Sequence, residues 1–250
     1  MFARYALKAP SVPGAGPWLF APPARRGPAR APVRRGLPGA VLFDRDGTLI
    51  RDVPYNGDPG RVRPMPHARA AVDAVRERGI PVAVVTNQSG VARGLLTLGA
   101  VEAVRRRVEE LLGPFDLWAV CPHGPGDGCA CRKPAPGLIR AACAALGTDP
   151  RRAAVLGDIG ADLAAARAAG AHGVLVPNDM TRPEETAAAA RTAPDLLTAV
   201  RRLTARPEGA DGVLVPNDVT RPEETAAAAR TAPDLLTAVR RLTARPEGDP

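Results

Sequence analysis

Five short apolar runs alternate along the chain with segments of helical spacing. The runs lie at 40–44 (AVLFD), 80–86 (IPVAVVT), about 116–120, 153–158 (AAVLGD) and 173–177 (GVLVP). Between them, the periodicity predicts helices at 66–78, about 97–112, 135–146 and 160–169, the first opened by Pro66 and closed by Gly79. Runs that stay apolar up to a polar residue at their end have no solvent face, so they belong to a parallel sheet covered on both sides by the intervening helices. The class is therefore α/β. In such sheets ligands bind beyond the carboxyl ends of the strands. The chemistry is expected just after residues 43, 85, 120 and 157.

Charge separates the two ends of this pattern. The chain has a formal charge of +8, with 34 basic and 26 acidic residues. Residues 1–38 hold seven of the basic residues and no acid, leaving 27 basic against 26 acidic in the rest. A nucleic-acid groove would need its excess charge on the folded part, and that part is balanced. Residues 1–38 are rich in Pro, Gly, Ala and Arg, without a period of 2 or 3.6, and are expected to be a disordered tail. Their apolar cluster, Trp18 to Ala21, is shorter than a secretory core requires. No run of about 18 apolar residues occurs, so no membrane span is expected, and the chain is read as a cytoplasmic monomer.

The C-terminal region repeats itself. Residues 173–209 and 212–248 differ only at Met180 and Val219, with a period of 39. One sheet has one place for the GVLVP strand, and the first copy follows the preceding helix directly. The expected division is a tail over 1–38 and a catalytic domain over 39–209. Residues 210–250, a near-identical duplicate of 171–209, are expected to form a loosely attached appendage.

Polar residues collect at the expected strand ends. FDRDGTLI sets Asp44 and Asp46 one residue apart, before a glycine that permits a sharp turn. Two such carboxylates can divide the work of nucleophile or metal ligand and proton carrier, although an Asp-Gly turn needs no chemistry. VVTNQSG offers the Thr86 hydroxyl and the donors of Asn87, Gln88, Ser89 and Gly90 near a helix start, a cradle for phosphate oxygens or an ordinary helix cap. Lys133, one of two lysines in the chain, is a point cation able to neutralise a phosphoryl group. GDIGAD puts Asp158 at a strand end, where its hard oxygens would hold Mg²⁺, and Asp162 either beside it or as a plain polar residue of the first helical turn.

The stretch CPHGPGDGCACRKP carries Cys121, His123, Cys129 and Cys131. Three thiols and an imidazole on one tight loop are the ligand set of a tetrahedral zinc, and four protein ligands make such a site structural and closed. Its work would be to fix the loop that delivers Arg132 and Lys133.

Taken together, Asp-x-Asp-Gly-Thr, Thr-Asn, Arg-Lys-Pro and Gly-Asp-x-x-x-Asp over residues 40–177 resemble the haloacid dehalogenase superfamily of phosphohydrolases. The resemblance implies a Rossmann-like three-layer sandwich. It implies that Asp44 attacks phosphorus, that Asp46 protonates the leaving oxygen and later activates water, and that Thr86 and Lys133 stabilise the phosphoryl group. It also implies Mg²⁺ held by Asp44, the Asp46 carbonyl and Asp158. Only 41 residues separate Asp44 from Thr86 and 46 separate Thr86 from Lys133, which leaves no room for a cap domain. With its zinc loop, the chain resembles the capless branch that contains heptose 1,7-bisphosphate 7-phosphatases and histidinol-phosphatases. That resemblance makes Asp52, Tyr55, Asn87, Gln88, Ser89 and Arg132 substrate contacts and a small sugar phosphate the substrate. A polynucleotide 3′-phosphatase and a decayed zinc-stabilised binding module are the other readings.

Overall fold

The structure, a computed structural model, describes residues 6–8, 16–22, 33–34 and 36–205. The strands are β1 (Ala6–Lys8), β2 (Trp18–Ala21), β3 (Ala40–Phe43), β4 (Val82–Asn87), β5 (Leu117–Cys121), β6 (Ala153–Gly157) and β7 (His172–Leu175). The helices are α1 (Ala68–Glu77), α2 (Leu98–Leu112), α3 (Gly137–Leu146), α4 (Gly160–Ala169), α5 (Pro183–Ala188) and α6 (Leu196–Thr204). Each of the five expected runs forms a strand, within two residues of its expected bounds.

The sheet order is β1-β2-β5-β4-β3-β6-β7. The strands from β3 to β7 are mutually parallel, while β2 pairs antiparallel with β5 and β1 with β2. The chain moves outward from β3 through β4 to β5, then returns to the other side of β3 for β6. That reversal leaves a crevice at the carboxyl end of the central strand. Alternate residues of each strand serve opposite faces. Val41, Phe43, Val82, Val84 and Leu156 pack with α1, α2 and α6, whereas Leu42, Ala83, Val85 and Val155 pack with α3 and α4. The second layer is rich in alanine and sits close to the sheet, as Ala142, Ala165 and Ala166 illustrate.

One expectation needs correcting. Within the segment read as a disordered tail, Trp18–Ala21 is a strand registered against Val120, Ala119 and Trp118 of β5, and Phe20 is fully buried. Four apolar residues cannot fold alone, but the open edge of β5 supplies the backbone ladder they lack. The Arg105 guanidinium carbon lies 5.6 Å from the Phe20 ring centroid. Arg105 donates to Glu109 at 2.9 Å, and Glu109 accepts from the Trp118 indole at 2.8 Å, which satisfies the charge buried beneath β2. The compact unit ends at Thr204, and the duplicate over 210–250 lies outside the described residues. No cap domain interrupts β3 to β4 or β4 to α3 among the described residues.

Candidate active site and metal centres

Asp44 directly follows β3, and its N–H donates to the Leu156 carbonyl at 2.8 Å, so the ladder to β6 fixes where its side chain leaves the sheet. The chain then turns tightly, with Leu49 and Ile50 both donating to the Arg45 carbonyl. Gly47 makes this turn at φ 75°, and a side chain there would strike Asp158. Thr48 in the same turn donates to Asp158 Oδ1 at 3.0 Å.

Lys133 reaches the centre of the site from the loop before α3. Its Nζ donates to Asp44 Oδ1 at 2.5 Å, to Asp162 Oδ1 at 2.5 Å and to the Val85 carbonyl at 3.0 Å. All three protons of the ammonium therefore have acceptors, in a place where the residue is only 4% exposed. Burial alone would lower its pKa, but Asp162 and Asp44 more than reverse that and hold it above the usual lysine value. Burial pushes the Asp44 carboxyl well above the usual carboxylate range. Lys133 opposes that rise, and the carboxylates of Asp162, Asp158 and Asp46 add to it. Asp158 is pushed up to about 6 by burial and by Asp162, with donors from Asn178 and Thr48 pulling the other way.

Asp46 stands at the mouth of the site, its side chain 23% exposed. Arg45 donates to it through Nε at 3.1 Å and Nη2 at 2.8 Å, and Gln88 Nε2 donates at 3.0 Å. The same Gln88 amide donates to Thr86 Oγ1 at 2.8 Å, which ties the proton carrier expected on one strand to the hydroxyl expected on the next. Thr86, Asn87, Gln88, Ser89, Asp52 and Tyr55 line one cavity of about 310 Å³ with Asp44, Asp46, Lys133 and Asp158. A larger cavity of about 460 Å³ holds Asp52 but none of Asp44, Asp46, Lys133 or Asp158, so the chemistry belongs to the smaller one.

Two expected substrate contacts also brace the lysine loop. Both polar ends of the Asn87 side chain bond the Lys133 backbone, at 3.0 and 3.1 Å, so this residue seats the lysine while it lines the cavity. Arg132 does not line the cavity, and its guanidinium donates to the His123 carbonyl at 3.3 Å. Tyr55 lies on the rim at φ 50°, with the Arg93 guanidinium carbon 5.5 Å from its ring centroid.

Sequence reasoning missed four residues here. Arg45 is 2% exposed between the two aspartates. Asn178, Thr181 and Glu185, after β7, reach back to the turn that carries Asp158. Asp162 was visible in the spacing of GDIGAD, and the structure decides its part. It is fully buried, accepts from Lys133 and from the Ile159 N–H, and so anchors the lysine and opens α4.

The donor chemistry suits two different cations. Asp44, Asp158 and Asp162 bring carboxylate oxygens within 4.8 Å of one another. Asp44 and Asp158 line the cavity, whereas Asp162 is fully buried behind Lys133 and does not, which leaves Asp44 and Asp158 as hard-oxygen ligands. Asp44, Asp46, Asp52 and Asp158 line the cavity and Asp162 backs Lys133, so carboxylates outnumber the two cations Arg45 and Lys133, an acidic excess that fits a divalent cation. In the second group, the sulfurs of Cys121, Cys129 and Cys131 stand 3.8, 3.3 and 3.7 Å apart, and His123 Nδ1 lies 3.5 and 3.2 Å from two of them. Tetrahedral zinc with ordinary bond lengths requires edges of about 3.6–3.8 Å, so the four atoms already form a zinc-sized cage. A hydrogen bond from Cys131 holds the Cys121 thiol down at about 5.

Comparison with known proteins agrees with this geometry. The HAD-hydrolase-like family model matches residues 130–203. The D-glycero-β-D-manno-heptose-1,7-bisphosphate 7-phosphatase of Pseudomonas aeruginosa is 40% identical over 141 residues, which cover 54% of this chain and 79% of that protein. The enzyme of the same name from Mesorhizobium japonicum is 40% identical over 152 residues, covering 56% and 70%. The crystal structure of the D,D-heptose 1,7-bisphosphate phosphatase of B. bronchiseptica, complexed with magnesium and phosphate, superposes with a TM-score of 0.59 at 30% identity. It covers 66% of this chain and 97% of that one.

Proposed function

We propose, because this chain belongs to the haloacid dehalogenase-like phosphatases and to their heptose-1,7-bisphosphate 7-phosphatase family, that it removes the 7-phosphate of a D-glycero-D-manno-heptose 1,7-bisphosphate. The observation that carries the reading is the triangle of Asp44, Lys133 and Asp162 at the end of the central strand. It fixes a nucleophilic carboxylate and a charged lysine in one water-poor spot, open on one side to the cavity. Phosphoryl transfer needs little beyond such positioning and charge neutralisation.

One oxygen of Asp44 attacks phosphorus. The new P–O bond forms as the bond to the sugar oxygen breaks, and Asp46 gives its proton to that leaving oxygen. Asp46 then takes a proton from water, whose oxygen attacks the aspartyl-phosphate, releases inorganic phosphate and restores Asp44. Lys133 and Thr86 stabilise the equatorial oxygens during both steps. Arg45 and Gln88 hold Asp46 at the mouth, where the leaving group departs. Asp44, the Asp46 carbonyl and Asp158 would hold Mg²⁺, which when bound offsets the charge of the phosphoryl oxygens and of the buried carboxylates. Cys121, His123, Cys129 and Cys131 would hold a structural Zn²⁺, and three reduced thiols suit a cytoplasmic enzyme. No helix among the described residues is long and apolar enough to cross a membrane.

The test is phosphate release with Mg²⁺ from the α and β anomers of the bisphosphate, from histidinol phosphate and from a 3′-phosphorylated oligonucleotide, with Asp44→Asn as the blank. Preference for one heptose anomer supports the proposal. Faster turnover of either other substrate replaces it.

A further inference from the structure

We propose that Asn178 is a positioning residue for the cation-binding half of the site, its side-chain amide setting the Asp158 carboxylate against the Gly47 turn. The inference rests on the metal-dependent reading above and deepens it. Asn178 Nδ2 donates to the Gly47 carbonyl at 2.8 Å and to Asp158 Oδ2 at 3.0 Å. Its Oδ1 accepts from the Met180 N–H at 2.7 Å. A main-chain N–H can only donate, so this last bond fixes which end of the amide faces the site. Both protons of Nδ2 then have acceptors, one on each of the two turns that carry the ligand residues.

The loop itself is held to the same place. Asn178 donates its own N–H to Thr181 Oγ1 at 2.9 Å, and that hydroxyl donates to the Asp158 carbonyl at 2.7 Å. Asp158 is thus gripped at its main chain by Thr181 and at its two carboxylate oxygens by Thr48 and Asn178. One donor on each oxygen fixes the rotation of the carboxylate plane. Partners of this kind, which orient a ligand without touching the metal, commonly shift metal affinity by about tenfold to a hundredfold. Space reinforces the point, since a Cβ placed on Gly47 would sit 3.0 Å from Asn178 Nδ2. The chain supplies its own control: Asn217 stands in the same local sequence of the second copy.

The experiment uses the full-length protein and three variants. Asn178→Ala removes the amide. Asn178→Ser keeps a short acceptor for the Met180 N–H but cannot reach Gly47 or Asp158. Asn217→Ala tests the duplicate. Mg²⁺ affinity is read without substrate, by calorimetry and by the rise in melting temperature on adding Mg²⁺, together with the Mg²⁺ concentration for half-maximal turnover. Both Asn178 variants are expected to weaken Mg²⁺ binding roughly tenfold or more, with kcat at saturating Mg²⁺ far less affected and Asn217→Ala unchanged. Unaltered Mg²⁺ affinity in Asn178→Ser, while the wild type binds normally, overturns the inference alone. Loss of affinity in Asn217→Ala reassigns the role to the second copy and overturns it as well. A wild-type protein that neither binds Mg²⁺ nor releases phosphate overturns both this inference and the functional reading beneath it.

Discussion

Lys133 shows how a single residue can carry both stability and chemistry. Its ammonium is enclosed by two carboxylates and a carbonyl, so its removal leaves two buried carboxylates unpaired. Lys133→Met should destabilise the protein by about 3–5 kcal/mol in chemical denaturation and lower kcat by about 10³-fold. Adding Asp162→Asn should return part of the stability and none of the activity, because it removes one stranded charge without replacing the lysine. Glu185 is the second residue with a distinct signature. Arg182 first, and the Gly160 N–H after it, hold its carboxylate down at about 2 from an ordinary 4.5. A depressed carboxylate stabilises the fold above its unfolded pKa and loses that contribution as pH falls through the folded one. The stability gap between wild type and Glu185→Gln should therefore be full above pH 4.5 and close towards pH 2, as read by denaturant titrations across that range. Asp44, Asp46, Thr86, Lys133 and Asp158 were legible in the sequence because each follows a strand or a loop that announces itself locally. Asn178 was not: its partner Gly47 lies 131 residues away, and PNDMTRPEE reads as an ordinary connection.

At the scale of elements, the parallel strands and their helices were legible because apolar runs and helical periods are local signals. The antiparallel strand β2 was not, since it is held by β5, about a hundred residues on. The zinc loop shows the reverse case, a local spacing with a long-range effect. Cys121 closes β5, and ten residues later Cys131 lies two positions before Lys133. A metal joining the two would shorten the free path of the loop and fix the lysine's approach. Metal analysis should find one zinc per chain, lost when Cys129 and Cys131 are both replaced by serine. That variant should melt at lower temperature and lose about tenfold or more in kcat, with Mg²⁺ in excess. Retention of full activity without zinc would show that the loop holds itself.

For the whole molecule, all the residues assigned to the site precede Thr204, which closes the compact unit. A chain ending after residue 209 should keep kcat/KM within about twofold of the full-length value and the same melting temperature. A large loss would mean that the duplicate contributes to the fold. The antiparallel edge has a consequence in time as well as in space. Trp18–Ala21 emerges early in synthesis, whereas its partner Leu117–Cys121 follows roughly a hundred residues later. At ordinary translation rates, four apolar residues including a tryptophan and a phenylalanine wait on the order of 5–20 s for the strand that buries them. Prolines and charged residues close to that tetrapeptide, Pro17, Pro22, Pro23, Arg25 and Arg26, are the kind that discourage a waiting strand from pairing with other chains. The composition that made this segment read as a tail is then what keeps the nascent chain soluble until the sheet can be completed.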